Sequence, residues 1–391
     1  MSDFAVCDDI PIVYVSDTAA LNILCEEWAD EEFLAVDTEF ERTSTFYARI
    51  GLLQIADSKS CYLIDPLSID DWSEFKKLLS TPSCTLVMHS CSEDLSLLQT
   101  FLGCLPVSLF DTQLAAAFLG IGFSISYQGL VEQLLGIEVA KDETRSDWIK
   151  RPLSDKQIHY AAADVRYLLQ LREILGNQIE QKGMSDWLRE ECEQQLVIAK
   201  RLEEESQWES YYTGISNAWR LDMHGLQALQ QLCVWREQKA RQRNKPRSWI
   251  VKDNDLMSLC AVVSGPIKEG EFTLDIVSNA GGIDGRFLSR NASELFRLLS
   301  DSSNRVEVDH ALLNKPLSAT LRNKLKLSKQ AANTKAEELG MSPELLGRKK
   351  FLVELLRSFE RDGELQWSGD FAGWRRDLLE LELTAIITKG N

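Results

Sequence analysis

The sequence predicts an α/β domain built on a sheet, followed by blocks that are nearly all helical, and three observations predict it. Between Ile12 and about Leu175, short apolar runs (FLAVDTEF, IGLLQIA, CYLID, TLVMH) alternate with helical patterns such as DWSEFKKLLS and EDLSLLQTFL. Segments of strand length and helix length taking turns are what a layered α/β domain requires. Past that point the periodicity is helical. The third observation is length: 391 residues exceed one ordinary core, and about 150 residues per domain gives two or three.

Composition bounds the class. An apolar content of 44% and a charged content of 26% are those of a folded globular chain and exclude wholesale disorder. No run reaches the roughly 18 apolar residues of a membrane span. The start, MSDFAVCDDIPIVYV, carries acids where an export signal carries a basic and then a long apolar region, so the expectation is a cytoplasmic protein with no membrane partner. Nine cysteines without a CxxC pair are expected to be reduced and mostly buried. The net charge of -17 argues against simple attraction to an anionic polymer. Any nucleic-acid role needs local positive charge.

Taken in order, the first block ends in an acidic helix of roughly Asp186 to Ser206 that reads as a connector. A helical block follows around Trp219 to Leu299, then a polar break at DSSNRVEVD, then a second helical block from about Lys315 to the end. WREQKARQRNKPRSW in one block can be set beside LRNKLKLSKQAANTK in the other, although the identity is too slight to prove a repeat. The expected division is residues 1–208 for the α/β domain with its connector, 212–300 for the first helical domain and 314–391 for the second.

Four acids stand out in the first block. In FLAVDTEF, Asp37 and Glu39 lie two apart on a strand, so both side chains leave the same face. Two bare carboxylates about 6 to 7 Å apart repel, and must be protonated, paired or bound to a cation unless that face meets water. Asp94, in TLVMHSCSEDLSLL, falls just beyond another strand near a helix start, where an acid is ordinarily a cap or dipole partner. Asp164 in HYAAADV completes the set. Carboxylate oxygens in this number suit Mg²⁺ or Mn²⁺, and a pair of such ions suits in-line attack on a phosphodiester. No His/Cys grouping competes for a softer metal.

The segments FLAVDTEFERTSTFYARIGLLQIA, VMHSCSEDLSLL, FDTQLAAAFLG and RPLSDKQIHYAAADVRYLLQL resemble, in that order, the exonuclease motifs of the ribonuclease D family, within the DEDD superfamily of 3′-to-5′ exonucleases. WREQKARQRNKPRSWIVKDNDL resembles the helical HRDC domain that follows the catalytic domain in that family, and the last block, with GWRRDLL, resembles it less. The resemblance implies a ribonuclease H-like domain with a mixed sheet followed by two all-α HRDC-like domains. It implies that Asp37, Glu39, Asp94 and Asp164 hold two divalent cations, Mg²⁺ or Mn²⁺. It also implies release of nucleoside 5′-monophosphates from RNA 3′ ends, with tRNA precursors and other structured RNAs as substrates.

The superfamily divides by the partner of its last aspartate, a Tyr four residues before it or a His five before it, and HYAAAD satisfies both. Helix geometry separates them. Ser154 and Gln157 form an S-x-x-Q capping box after Pro152, which starts the helix near Asp155 and places His159 and Tyr160 within regular turns. At about 100° per residue, Tyr160 lies about 40° around the axis from Asp164 and His159 about 140°. Tyr160 is therefore the expected catalytic partner, and His159 is expected to face solvent.

Other candidates have a bland reading beside the functional one. Phe40 either stacks on a terminal base or belongs to the core. His89 is expected to be a satisfied histidine at a strand end, with substrate contact as the alternative. Arg145, Lys150 and Arg151 in TRSDWIKRPLS either touch phosphate or are solvated loop charge. ARQRNKPRS carries Arg241, Arg243, Lys245 and Arg247 with no acid, and 310–336 carries Lys315, Arg322, Lys324, Lys326, Lys329 and Lys335 with none. Such stripes either bind the RNA body or are solvated helix faces. A DNA exonuclease of repair and a non-catalytic nucleic-acid-binding adaptor are the alternative functions. The adaptor would lack a carboxylate or the tyrosine, and none is missing. No GxxxxGK[ST] loop is present, so no ATP partner is expected.

Overall fold

A computed structural model of the chain describes residues 10–139, 146–264, 272–301, 307–367 and 369–389. The apolar runs become strands β1 (Ile12–Val15), β2 (Phe33–Glu41), β3 (Arg49–Ala56), β4 (Cys61–Ile64), β5 (Thr85–Met88) and β6 (Leu109–Asp111). Their order across the sheet is β1-β4-β3-β2-β5-β6. β3 runs antiparallel to both its neighbours, while the pairs β1/β4, β2/β5 and β5/β6 are parallel, so the sheet is mixed. β3 is buried at every residue except Arg49, and β4 throughout. A strand whose alternate side chains are all buried is covered on both faces, which explains why these runs are continuously apolar.

The covering helices are α1 (Thr18–Trp28), α2 (Ser73–Leu79), α3 (Ser92–Leu102), α4 (Thr112–Phe118), α5 (Tyr127–Leu135), α6 (Asp155–Arg166), α7 (Leu168–Gln181) and α8 (Ser185–Arg201). Trp28 of α1 meets Tyr62 of β4 edge to face, ring centroids 5.1 Å apart. α6 packs on β2, β3 and β4, and α7 on β2 and β5. Small residues make the α6 approach close: Ala161 and Ala162 are fully buried there.

By their internal contacts the residues fall into two units, Met1–Glu41 with Ala48–Lys200 and Ala319–Asn391, and Arg42–Tyr47 with Arg201–Ser318. The second unit holds α9 (Glu205–Trp208), α10 (Met223–Gln242), α11 (Arg247–Ile250), α12 (Asp253–Val263), α13 (Leu274–Ser278) and α14 (Gly285–Ser300). Its core is Leu226, Leu229 and Leu232 of α10 with Leu256, Leu259 and Leu295, and Phe46 packs against it. Asp222 caps α10 by accepting from the Gly225 amide at 2.8 Å.

The last helices, α15 (Ala319–Leu339), α16 (Pro343–Leu346), α17 (Lys349–Asp362) and α18 (Trp374–Thr388), belong to the first unit. Trp374 stacks on Trp187 of α8 at 5.4 Å and lies 5.2 Å from Phe118 of α4. Arg375, only 1% exposed, makes an ion pair with Glu191 of α8 and donates to the Leu345 carbonyl. The Ser342 amide donates to the Ala117 carbonyl. No helix among the described residues is long and apolar enough to cross a membrane.

Candidate active site

β2 carries Asp37 and Glu39 toward a small pocket of about 160 Å³, whose lining also includes Asp164, Tyr160, His89 and Tyr127. The strand is irregular at this point: its register against β3 shifts between Glu39 and Phe40. Such a bulge re-aims side chains, and it marks where β2 ceases to be an ordinary ladder strand.

Asp94 comes from the first turn of α3, where the strand-to-helix connection is held by Asp111. The Asp111 carboxylate accepts from the Ser90 and Cys91 amides, both at 3.1 Å, and from Gln113 and Leu114 as the cap of α4. Ser90 is held at φ 59, a left-handed conformation that a residue with a side chain occupies only when its surroundings fix it. Thr38 of β2 then donates its hydroxyl to Asp94.

Asp164 and Tyr160 come from α6. The helix begins at Asp155, with Ser154 as cap and the reciprocal Ser154/Gln157 box formed. Tyr160 lies on the side of Asp164, lines the same pocket and shares its electrostatic environment, each group shifting the other's titration. His159 is exposed, its Nδ1 2.7 Å from the Asp155 carbonyl one turn back.

The four carboxylates feel one another. Burial first, then the charges of Asp94, Asp164 and Glu39, push Asp37 well above the usual carboxylate range. Burial together with Asp164 and Asp94 pushes Glu39 up to about 9. Burial raises Asp94 to about 6 and Asp164 to about 7, each partly offset by a neighbouring hydroxyl. The phenol of Tyr160 is pushed far up by burial and by the carboxylates around it. Among the described residues, no three such groups are already drawn onto one coordinating point. The fit to a cation therefore rests on charge and burial: two buried acids, Asp94 and Asp164, and two half-buried ones, Asp37 and Glu39, with no Lys or Arg among the causes of their shifts. An orphaned amide adds to it, because Gln54, the cross-strand partner of Asp37, is fully buried with neither side-chain atom hydrogen-bonded. Hard divalent cations with their waters suit an all-oxygen, electron-rich site of this kind.

Other residues take definite places. His89 is satisfied on both sides, by Thr112 Oγ1 at 2.9 Å and the Ile125 carbonyl at 3.0 Å, while its ring also lines the pocket. Phe40 is half-buried at the bulge. Arg145 lies outside the described residues, and Lys150 is exposed. Arg151 is structurally engaged: its guanidinium grips Asp65 through two 2.7 Å bonds and donates to the carbonyls of Gly51 at 2.6 Å and Trp148 at 2.8 Å. That grip fixes Trp148, which lies 6.0 Å from the Tyr160 ring. Gly51 is required here, because a Cβ would stand 2.6 Å from Trp148 Cβ.

In the second unit, Arg241 and Arg247 both pair with Glu237, itself 1% exposed, and Arg241 also bonds Glu203. These two arginines neutralise a buried acid and do not form an open stripe. Arg243 and Lys245 are exposed, with Lys245 Nζ 3.3 Å from the Ser44 carbonyl. Sequence reasoning missed Asp111, Tyr127 and Gln54. FDT is a helix-cap signal that points to Asp111; the other two carry none.

Comparison with known proteins gives a consistent picture. Residues 12–180 match the family model for the 3′-5′ exonuclease domain, and residues 225–268 match that for the HRDC domain. The chain is 38% identical over 366 residues to ribonuclease D of Pseudomonas paraeruginosa, covering 94% of this chain and 95% of that one. It is 34% identical over 382 residues to ribonuclease D of Haemophilus influenzae, covering 95% and 92%. The fold matches the crystal structure of Escherichia coli RNase D, an exoribonuclease involved in structured RNA processing, with a TM-score of 0.81 and 31% identity over 95% of this chain and 97% of that one.

Proposed function

The chain belongs to the ribonuclease D family and is a 3′-to-5′ exoribonuclease, and on that premise we propose that Asp37, Glu39, Asp94 and Asp164 hold two divalent cations, Mg²⁺ or Mn²⁺, with Tyr160 as the catalytic partner. The observation that carries this is that Asp37, Glu39 and Asp164 line one pocket, with the charge of buried Asp94 acting on the first two. When bound, the ions supply Lewis-acid polarisation of the scissile phosphate and of the attacking water. Tyr160 orients that water: burial among acids keeps its phenol protonated, and it lines the same pocket as Asp164. Asp111 and Thr38 hold Asp94 in place, and Arg151 with Trp148 braces Tyr160. Each turnover releases a nucleoside 5′-monophosphate.

The substrates in this reading are tRNA precursors and other structured RNAs with 3′ tails, in keeping with the structured-RNA processing attributed to the Escherichia coli relative. Residues 212–300 and 314–391 are read as two HRDC-type helical modules, the first supported by the match at 225–268.

The test is digestion of matched RNA and DNA, labelled at either end, in Mg²⁺, Mn²⁺ or EDTA. A 5′ label should give a ladder shortening from the 3′ end, and a 3′ label should leave at once as mononucleotide, only with metal and with RNA preferred. Asp37→Asn and Asp164→Asn should abolish turnover while circular dichroism stays unchanged. Near wild-type activity in either variant overturns the metal-site assignment, and preference for DNA favours a repair role instead.

A further inference from the structure

The second unit contains a pocket of about 700 Å³ that the catalytic site does not use. Arg42 and Phe46 from the segment after β2 line one part of it, and Arg236, Trp249, Lys252 and Asn254 line another. Trp249 is 61% exposed, an unusual position for the largest apolar side chain, and Lys245 Nζ stands 5.6 Å from its ring. An isolated exposed aromatic needs no explanation, but one set on a cavity among cations does.

Charge and unmet hydrogen-bonding capacity mark the same place. In a chain of net charge -17, the lining carries four cations; Arg236 pairs with Asp253 and Arg247 with Glu237, and Arg42 and Lys252 line the pocket beside them. Arg236 is 7% exposed and pairs with Asp253 through Nη1, yet its Nε is buried without a partner. The lining includes the N-terminus of α12, an eleven-residue helix that begins without a side-chain cap. First-turn amides left in this way favour an anion.

We propose that this pocket is a subsite for single-stranded RNA, in which one base stacks on Trp249 and the adjoining phosphate is held by Lys252, Arg42 and the start of α12. A flat exposed ring beside fixed cations is the combination that single-strand sites use, since every base offers a face to stack and every linkage a charge. A protein partner would find few apolar neighbours around the tryptophan and an excess of one sign of charge. The proposal rests on the exoribonuclease reading and adds the place where the polymer is gripped away from its reacting end.

The experiment measures binding of a fluorescent oligoadenylate to the full chain in EDTA by anisotropy, for wild type, Trp249→Ala, Trp249→Phe and Lys252→Gln. Trp249→Ala should weaken binding about 5- to 150-fold, the range of a lost base-aromatic stack, and Trp249→Phe should recover most of it. On an abasic oligomer, wild type and Trp249→Ala should bind alike. Lys252→Gln should reduce the slope of log affinity against log salt by about 1. A change below about twofold for Trp249→Ala, or an equal loss on the abasic oligomer, overturns the stacking site. Adding Mg²⁺ to the wild-type mixture separates the two readings: if the oligonucleotide is degraded while Trp249→Ala binds normally, only the subsite falls. If wild type neither binds nor degrades it, the exoribonuclease assignment falls as well.

Discussion

Within α6, one helical step separates His159 from Tyr160, and the step decides their chemistry. Tyr160 reaches Asp164 while His159 folds back on the Asp155 carbonyl in solvent. Tyr160→Phe should therefore lower turnover by about 10² to 10⁴, the usual loss of an acid-base partner, and His159→Ala should leave it within a few fold. The reverse ranking in steady-state kinetics would place the histidine at the reaction. The carboxylates make a second prediction. Glu39, Asp94 and Asp164 sit at about 9, 6 and 7 when folded, above their ordinary 4.5, 3.8 and 3.8. A raised acid takes up a proton on folding, so its stabilisation is complete at low pH and is lost as pH rises through the folded value. Metal-free protein should thus lose melting temperature from about pH 4 to about pH 9, and Mg²⁺ should restore it most at the alkaline end. A flat EDTA profile in scanning fluorimetry would show that these acids are not raised in the folded protein.

The loop before α6 shows how an element supports a site it does not join. Arg151 ties it to Asp65 and to the Gly51 carbonyl, and Trp148 is held beside Tyr160 as a result. Arg151→Gln should cost about 3 kcal/mol, because Asp65 is left buried without its counter-charge, and turnover should fall along with stability. If urea denaturation shows no loss while RNA affinity drops, Arg151 is a phosphate contact after all. This loop also marks the limit of what the sequence tells. Strand runs, the capping box and the four acids were legible because each depends on neighbours in the chain: a period of two, a pair three residues apart, an acid after a strand. β6, three residues long, is too short to show a period. The bond from Arg151 to Asp65 spans 86 positions, and that from Gln195 to Asp111 spans 84. Nothing local announces either. For the same reason the stripe ARQRNKPRS reads as free cations in sequence, while Glu237, against which Arg241 and Arg247 are spent, precedes it on α10.

Taken as a whole, the chain carries a net charge of -17 and an anionic substrate, and the structure narrows which cations can mediate between them. Replacing Arg241, Arg243, Lys245 and Arg247 together by Gln would strand Glu237, so the variant should lose about 3 to 5 kcal/mol before any change in salt dependence can be interpreted. Lys252 and Arg243 are the cleaner probes. Shortening the chain near Ser206 also has a structural cost. It removes Arg375 from Glu191 and Trp374 from Trp187 and Phe118. Such a fragment should melt at a lower temperature than the full chain and bind a hydrophobic dye. An unchanged melting curve would show that α15 to α18 contribute nothing to the exonuclease unit.

That same return of the C-terminal helices governs how the protein is made. The ribosome completes α8 at Arg201, then must deliver the whole of the second unit before Trp374 and Arg375 emerge. At about 5 to 20 residues per second, the nascent sheet domain waits roughly 10 to 35 seconds with its Trp187 and Phe118 surface uncovered. An order of synthesis that leaves the first-born unit unfinished until α18 has emerged makes that step, and not emergence of the sheet, the moment at which the unit reaches its native packing. Premature release anywhere in the second unit therefore yields a chain that has Asp37, Glu39, Asp94 and Asp164 and an open, adhesive flank.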